Sequence, residues 1–250
     1  MIIILILVFL FLILIFRDRG RPLFEGLGND IKEDGIIEEV DSNSLNKYGY
    51  DKDLIHEFSN FLSDEECDYI INNFRSNVRK SRVICDGGKY CNQSNSRTSS
   101  STFVHDVNDS IVNNISQRIS EKVGISVDNF EPLQVVNYKG GEEYKPHWDA
   151  CVGEGRCSEF VKNGGDRYAT FLLYLNDDFD GGETEFPLLG KKIKPEKGKG
   201  VLFYNLDDDN INYKVNSKHA GLPPRNGEKW MWNKWIRGGK WTPNMIPSTE

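Results

Sequence analysis

The chain has 250 residues, of which 38% are hydrophobic, 12% aromatic and 28% charged, with a formal net charge of −7 and a pI near 5.3. That length holds one large domain, or one medium domain with attachments. The acidic balance excludes a general nucleic-acid binder, which needs a basic face, and leaves a basic peptide open as a partner.

The chain opens with "MIIILILVFLFLILIF", apolar from Met1 to Phe16, followed by "RDRGR". A membrane helix needs about 20 apolar residues, so this run is slightly short. It lacks the basic leader and small-residue cleavage site of a secretory signal, and it is expected to be a signal-anchor over 1–16. The positive-inside rule would leave the downstream side in the cytoplasm, in conflict with a lumenal catalytic domain. Residues 17–52 are rich in Gly, Asp, Asn and Glu without a period and are expected to be a linker, with the folded part starting at Asp53.

"LSDEECDYIINNFRSNV" predicts a helix. Ser63 and Glu66 form a capping-box pattern, Leu62 can staple the turn, and Cys67, Ile70, Ile71, Phe74 and Val78 recur at helical spacing. A second helix is expected from Asp109 to Val123, with Ile111, Val112, Ile115, Ile119 and Val123 on one face. "CDGGKYCNQSNSRTSSS" between them reads as a long polar loop, of the kind that is often functional. After Val127 come short strands and glycine turns: "PLQVVNY", "EEYKPHW", "YATFLLYL", "ETEF", "KGVLFY", "KHAG" and "KWMWNKWI". This half carries no helix signal, and its spacing predicts a barrel or a double-sheet jelly roll. The architecture is therefore helices first, then a β-sandwich. "RGGKWTPNMIPSTE" reads as a tail.

Cys85/Cys91 and Cys151/Cys157 form two close pairs, and Cys67 reads as a buried thiol. Two short-loop disulfides fit an oxidising compartment, and four free thiols in loops remain the alternative. No C-x-x-C spacing supports zinc. Asn92, Asn108 and Asn114 match the glycosylation pattern, which recurs often by chance.

The chemistry concentrates in "PHWD". Residues i and i+2 of a strand share a face, so His147 and Asp149 project into one cavity. One imidazole and one carboxylate make two-thirds of a facial triad for non-haem Fe(II). The third ligand must be a histidine from elsewhere. His56 and His105 precede the β region, whereas His219 lies within it, where a facing strand could bring it close. Lys229 follows ten residues later. On an inward strand face it would need an anion, such as a cosubstrate carboxylate; on an edge strand it would be an ordinary surface lysine.

"YKGGEEYKPHWD", "RYATFLLYLNDDFDGGETEFP" and "HAGLPPRNGEKWMWNKWIR", with "FLSDEECDYII" and "SRTSSSTF" before them, resemble the prolyl 4-hydroxylases of the Fe(II)/2-oxoglutarate oxygenase superfamily over Leu54–Arg237. The size is similar to the small single-domain type of plants, algae and large DNA viruses, and no partner-subunit region is visible. The resemblance implies an α+β fold, a double-stranded β-helix (jelly roll) with N-terminal supporting helices, in a catalytic domain over 53–237 with a tail over 238–250. It implies hydroxylation of peptidyl proline with O2 and 2-oxoglutarate, giving succinate and CO2, with Fe(II) bound and L-ascorbate as reductant. It places the protein in the endoplasmic reticulum or secretory pathway, or in a host membrane or virion if viral.

Residue by residue, His147, Asp149 and His219 match the iron ligands. Lys229 matches the residue that binds the distal carboxylate of 2-oxoglutarate, Tyr138 a tyrosine bonded to the same carboxylate, and Thr184 a threonine at that end. Arg97, Ser99, Glu131, Tyr144, Arg167 and Trp235 match positions lining the groove for a proline-rich or collagen-like peptide. Arg97 and Arg167 read equally as surface salt-bridge partners, and Tyr144 and Trp235 as core aromatics. Two departures stand out. Arg237 occupies a position where the family often has histidine, and "ACVGEGRCSEFVKNGG" after Asp149 differs from the family's usual text. The competing readings are a lysyl or other peptidyl hydroxylase and a non-catalytic module that binds proline-rich peptide.

Overall fold

The computed structural model describes residues 55–84, 90–91, 95–152, 158–207 and 212–242. The expected anchor and linker, together with Cys85, Asn92, Cys157 and residues 243–250, lie outside the described residues. Strand β1 (His56–Phe58) leads into helix α1 (Asp64–Phe74). The capping box forms: the Glu66 amide donates to Ser63 Oγ at 3.2 Å, and the Ser63 amide donates to Glu66 Oε2 at 3.0 Å. Two amides that the helix cannot pair are thereby satisfied. The helix stops at Phe74, short of Val78, which still packs on the core from the next turn.

Strands β2 (Arg79–Lys80), β3 (Val83–Ile84), β4 (Tyr90–Cys91) and β5 (Ser100–Val104) follow. The segment expected to be a polar loop thus contains β4 and the start of β5. Pairing with a buried neighbour, Ser100 opposite Asn137 and Ser101 opposite Val136, makes a strand of residues with little strand preference of their own. Helix α2 (Ser110–Val123) is capped by Asp109, whose Oδ1 accepts the Ile111 and Val112 amides at 3.0 Å each. It ends at Gly124, in the left-handed conformation that glycine adopts without a Cβ penalty. Its stripe of Val112, Ile115, Ile119 and Val123 is buried.

The β half comprises β6 (Leu133–Tyr138), β7 (Tyr144–His147), β8 (Arg167–Tyr174), β9 (Asp180–Gly181), β10 (Thr184–Phe186), β11 (Lys191–Ile193), β12 (Gly200–Tyr204), β13 (His219–Gly221), β14 (Pro224–Arg225) and β15 (Lys229–Arg237). One turn of helix, α3 (Ser158–Val161), interrupts it, contrary to the expectation of no helix there. The described strands form a seven-stranded antiparallel sheet, β1-β12-β8-β15-β6-β5-β2, a four-stranded sheet, β11-β10-β13-β7, and two strand pairs, β14-β9 and β3-β4.

Alternation along the long strands produces two cores. Val135, Leu173, Leu202 and Trp232 pack against the helices. Val136, Tyr138, Leu172, Tyr174, Val201, Phe203 and Met231 meet Phe186 and Ile193 of the smaller sheet. This is the expected α+β architecture, a double-stranded β-helix with helices packed on the outer face of its larger sheet. Because both faces of β6, β8, β12 and β15 are covered, these strands read as apolar runs rather than clean alternations. Residues 238–242, where the sequence reads as tail, hold backbone bonds to the body: Trp241 to Asp128 at 2.7 Å and Gly239 to Gly164 at 2.8 Å.

Candidate metal centre and active site

His147 ends β7 and His219 begins β13, and the two are direct cross-strand partners in the smaller sheet. Asp149 follows His147 by two residues, so one ligand atom from each of the three residues lies within 4.8 Å of the others. Asp149 Oδ1 stands 3.7 Å from His147 Nε2, and Oδ2 stands 3.7 Å from His219 Nε2. His147 Nδ1 lies 2.8 Å from the Lys145 carbonyl and His219 Nδ1 lies 2.9 Å from the Ser217 carbonyl. A carbonyl only accepts, so both Nδ1 atoms carry the proton. Both Nε2 lone pairs then face the cavity, which is how metal-binding imidazoles are oriented.

Burial, reinforced by the neighbouring His219, lowers the His147 imidazole to about 3. Burial alone would raise the Asp149 carboxyl. His219, His147, Arg167 and the Thr170 hydroxyl overcome it and hold the group at about 2. At neutral pH the site therefore offers a neutral imidazole and an ionised carboxylate, the protonation states that bind a metal. Two nitrogens and one oxygen on one side of a cavity suit non-haem Fe(II) with positions left open.

The second half of the site is Lys229, first residue of β15 and 0% exposed. Its ammonium donates to the Gly182 carbonyl at 2.7 Å, and it has no carboxylate partner among the described residues. Burial pulls it down to about 7 from the ordinary 10.5, against a weak pull upward from Glu183. Tyr138 is its cross-strand partner, with the ammonium 5.3 Å from that ring and 5.5 Å from the ring of Tyr174. The Tyr174 hydroxyl donates to Thr184 Oγ1 at 2.7 Å. Gly182 has a positive φ, and a Cβ there would sit 2.6 Å from the Phe179 ring and 3.3 Å from Lys229 Cδ; only glycine lets the backbone come this close to the lysine. A Cβ on Gly221, two residues beyond His219, would lie 3.3 Å from the Tyr138 hydroxyl, which ties this corner to the metal-ligand strand. A buried ammonium without a carboxylate partner among the described residues, between two tyrosine rings, fits the free carboxylate of a dicarboxylate such as 2-oxoglutarate.

The expected groove residues fall into two contact clusters, with Arg97, Ser99, Glu131, Arg167 and Trp235 buried and Tyr144 half-buried. Arg97 donates to Ser99 Oγ at 2.9 Å and to Gln134 Oε1 at 3.1 Å, and its guanidinium lies 4.7 Å over the Tyr144 ring. Tyr144 in turn stacks on His147 at 3.4 Å. Glu131 accepts two bonds from Arg167, at 2.7 and 2.8 Å, and one from Arg237 at 2.7 Å. Arg167 lies 3.5 Å over the Trp235 ring. Arg97 and Arg167 are thus buried, and the reading of them as surface salt-bridge partners is overturned. Arg237 is buried too and bonds the Phe160 and Gly165 carbonyls at 2.9 and 2.6 Å. Cys67 is free and buried, which pushes its thiol to about 12. Cys151 is disulfide-bonded; its expected partner Cys157 lies outside the described residues.

Sequence reasoning missed Thr170, Tyr174, Gly182 and Asn205. The signal for the first two was a hydroxyl at two inward positions of "RYATFLLY", on either side of Leu172, hidden because the strand is buried along its whole length.

The model of the 2OG-Fe(II) oxygenase superfamily matches residues 133–237. "Probable prolyl 4-hydroxylase 3" of Arabidopsis thaliana is 36% identical over 203 residues, covering 74% of this chain and 69% of the plant protein. A protein of Acanthamoeba polyphaga mimivirus that carries the prolyl 4-hydroxylase name is 34% identical, covering 77% of each chain. Among solved structures, the 2OG complex of the viral collagen prolyl hydroxylase of Paramecium bursaria Chlorella virus-1 superposes with a TM-score of 0.59 at 32% identity, covering 73% of this chain and 95% of that one.

Proposed function

The chain belongs to the prolyl 4-hydroxylase family of the 2OG-Fe(II) oxygenase superfamily, and on that premise we propose how its own residues carry the reaction. The family's reaction is hydroxylation of peptidyl proline to 4-hydroxyproline. Fe(II) and 2-oxoglutarate, when bound, supply the oxidising chemistry, in which O2 and the cosubstrate give succinate, CO2 and the new hydroxyl group. His147 and His219 hold the metal through Nε2, their Nδ1 protons fixed on Lys145 and Ser217, and Asp149 holds it through its carboxylate. Lys229 binds the distal carboxylate of 2-oxoglutarate, with Tyr138 and Thr184 beside it. Arg97, Ser99, Glu131, Tyr144, Arg167 and Trp235 line the peptide groove. Tyr144 and Trp235 offer aromatic faces to a proline-rich or collagen-like segment in the extended polyproline conformation.

The observation that carries this reading is the buried Lys229 without a carboxylate, on the same inner layer as the triad. A peptide-binding module needs neither. The domain boundaries we adopt are the anchor over 1–16, the linker over 17–52, the catalytic unit over 53–237 and the tail over 238–250. A secretory-pathway site is supported by the apolar run Met1–Phe16 and by the disulfide at Cys151. Among the described residues no helix is long and apolar enough to cross a membrane, so anchoring falls to that run.

The test is succinate release by the full-length protein with Fe(II), 2-oxoglutarate and ascorbate, with and without (Pro-Pro-Gly)n or polyproline peptide, beside His147→Ala. Peptide-stimulated turnover, with proline gaining one oxygen atom by mass, is expected; turnover that leaves proline unoxidised would move the substrate elsewhere. Alkaline-carbonate extraction of membranes, with and without residues 1–16, tests the anchor.

A further inference from the structure

Asp149 lies two residues past the end of β7 and is held by more than its neighbours in the chain. Thr170, on the inner face of β8, lies with Oγ1 2.7 Å from Asp149 Oδ2, and Asn205 Nδ2 lies 2.9 Å behind it. Both residues are buried, Asn205 completely. The proton positions follow from counting. An ionised carboxylate can only accept, so the single proton of the Thr170 hydroxyl sits between the two oxygens. Thr170 can then only accept from its other side, and the amide edge facing it must be NH2. That leaves Asn205 Oδ1 buried with no hydrogen-bond partner among the described residues. Reversing the amide would set two acceptors face to face and free the hydroxyl proton to turn away from Asp149. The Asn205 backbone has no slack with which to relieve this: its amide donates to the Tyr168 carbonyl at 2.9 Å, and its carbonyl accepts the Lys214 amide at 2.7 Å. Unpaired buried acceptors are rare and call for a reason.

We propose that Thr170 and Asn205 are positioning residues of the metal centre. The Asn205 amide directs the Thr170 hydroxyl onto Asp149 Oδ2, committing that oxygen and leaving Oδ1 as the one that ligates. Ligation through a single oxygen keeps coordination positions free, as an oxygenase of the 2-His-1-carboxylate type requires. Loss of the hydroxyl frees Oδ2 to swing, loosening the carboxylate and opening a two-oxygen mode that takes up a free position. This inference rests on the reading of Asp149 as a metal ligand and assigns its orientation to two residues that do not touch the metal.

The test measures equilibrium Co(II) affinity of full-length protein by chelator competition, together with the visible Co(II) spectrum, and so needs no turnover. Partners that orient a metal ligand typically contribute 10–100-fold in affinity. Thr170→Val, nearly the same shape without the hydroxyl, should weaken Co(II) binding by about that factor and change the spectrum. Thr170→Ser, which restores the hydroxyl, should bind as wild type does. Asn205→Leu should weaken binding in the same direction with Thr170 intact, and it carries the test alone if Thr170→Val fails to fold. Equal affinity in wild type and the folded variants overturns the proposal, and so does a loss in Thr170→Ser as large as that in Thr170→Val. His147→Ala separates the two layers: wild type binding Co(II) no more tightly than His147→Ala would sink the metal-site reading and this proposal together. Tight wild-type binding that Thr170→Val leaves untouched sinks the proposal alone.

Discussion

The two ends of β15 carry the same kind of residue in opposite circumstances. Lys229 opens the strand and Arg237 closes it, both buried and both on the face turned toward the smaller sheet. At the Arg237 end each guanidinium has a carboxylate partner, the shared Glu131. Glu131 bridges Arg237 and Arg167, both within 2.7 Å, the Phe160 and Gly165 carbonyls take another guanidinium edge, and Trp235 covers Arg167. At the Lys229 end one carbonyl and two tyrosine rings stand where a carboxylate would be needed. Lys234, on the other face of the same strand, shows what a fully answered buried lysine looks like: Asp106 accepts from it at 2.6 and 2.7 Å. Burial of charge is therefore not itself the functional sign. The sign is burial without compensation, which the protein bears at one end of the strand and avoids at the other.

The sharpest way to break this comparison is to remove the answering charge. Glu131→Gln leaves two guanidiniums facing each other in the interior, and removal of one member of a buried ion network costs about 3–5 kcal/mol. Urea denaturation should show that loss in the ligand-free protein. Lys229→Met should do the opposite. It removes an unanswered charge, so ligand-free stability should hold or rise, while 2-oxoglutarate affinity falls by a factor matching roughly 2–5 kcal/mol, the usual loss when one partner of a buried charge pair is truncated. If Lys229→Met destabilised the ligand-free protein as much as Glu131→Gln does, Lys229 would be a structural charge and the cosubstrate assignment would fall.

Much of this contrast could be read from the chain, but not the part that decides it. Helices α1 and α2 were legible to within a few residues because cap and stripe are local signals: Ser63 with Glu66, Asp109, and the run Ile115, Ile119, Val123. His147 and Asp149 were legible as a pair because their spacing is local, although the strand ends at His147 and Asp149 reaches the site from the bend beyond it. His219 stood out as the histidine within the late β region and Lys229 by its place ten residues on, and the resemblance to a family gave both their roles. The compensation of charge is not local. Glu131 and Arg237 are 106 positions apart, as are no two residues of a helix or hairpin, and Asn205 meets Thr170 across 35. Those distances close only when β8, β12 and β15 lie side by side. For the same reason Ser100 and Ser101 read as loop, since their strand exists only where β6 lies beside it.

A smaller effect separates charge from shape at the Arg237 end. Arg237→Lys keeps the cation but not the fork that reaches Glu131, Phe160 and Gly165 together. Losing two of these bonds, at about 1 kcal/mol each, should lower stability by roughly 2 kcal/mol, less than Glu131→Gln. Thermal unfolding would check it, and a cost equal to that of Glu131→Gln would mean that charge pairing counts for little in this cluster.

The smallest effect per step, about 1.4 kcal/mol for each pH unit, and the most direct reading of Lys229, is pH dependence. Burial lowers this amine to about 7 from an ordinary 10.5. Between those values the unfolded chain holds the proton and the ligand-free folded protein does not. By linkage, the contribution of Lys229 therefore makes the ligand-free protein more stable as pH rises from about 7 to 10.5, the reverse of a lysine held by a carboxylate. Binding of a dicarboxylate restores the ammonium, so above pH 7 it must take up a proton, and affinity should fall by up to about tenfold per pH unit. Titrating 2-oxoglutarate into Co(II)-loaded protein from pH 7 to 9, in buffers of different ionisation enthalpy, reads both the slope and the proton. Lys229→Arg cannot lose its charge in this range and should give a flat profile. A flat wild-type profile would mean that Lys229 keeps its proton before the cosubstrate arrives. Its end of β15 would then be compensated after all, by groups at that corner that outweigh the desolvation of the amine.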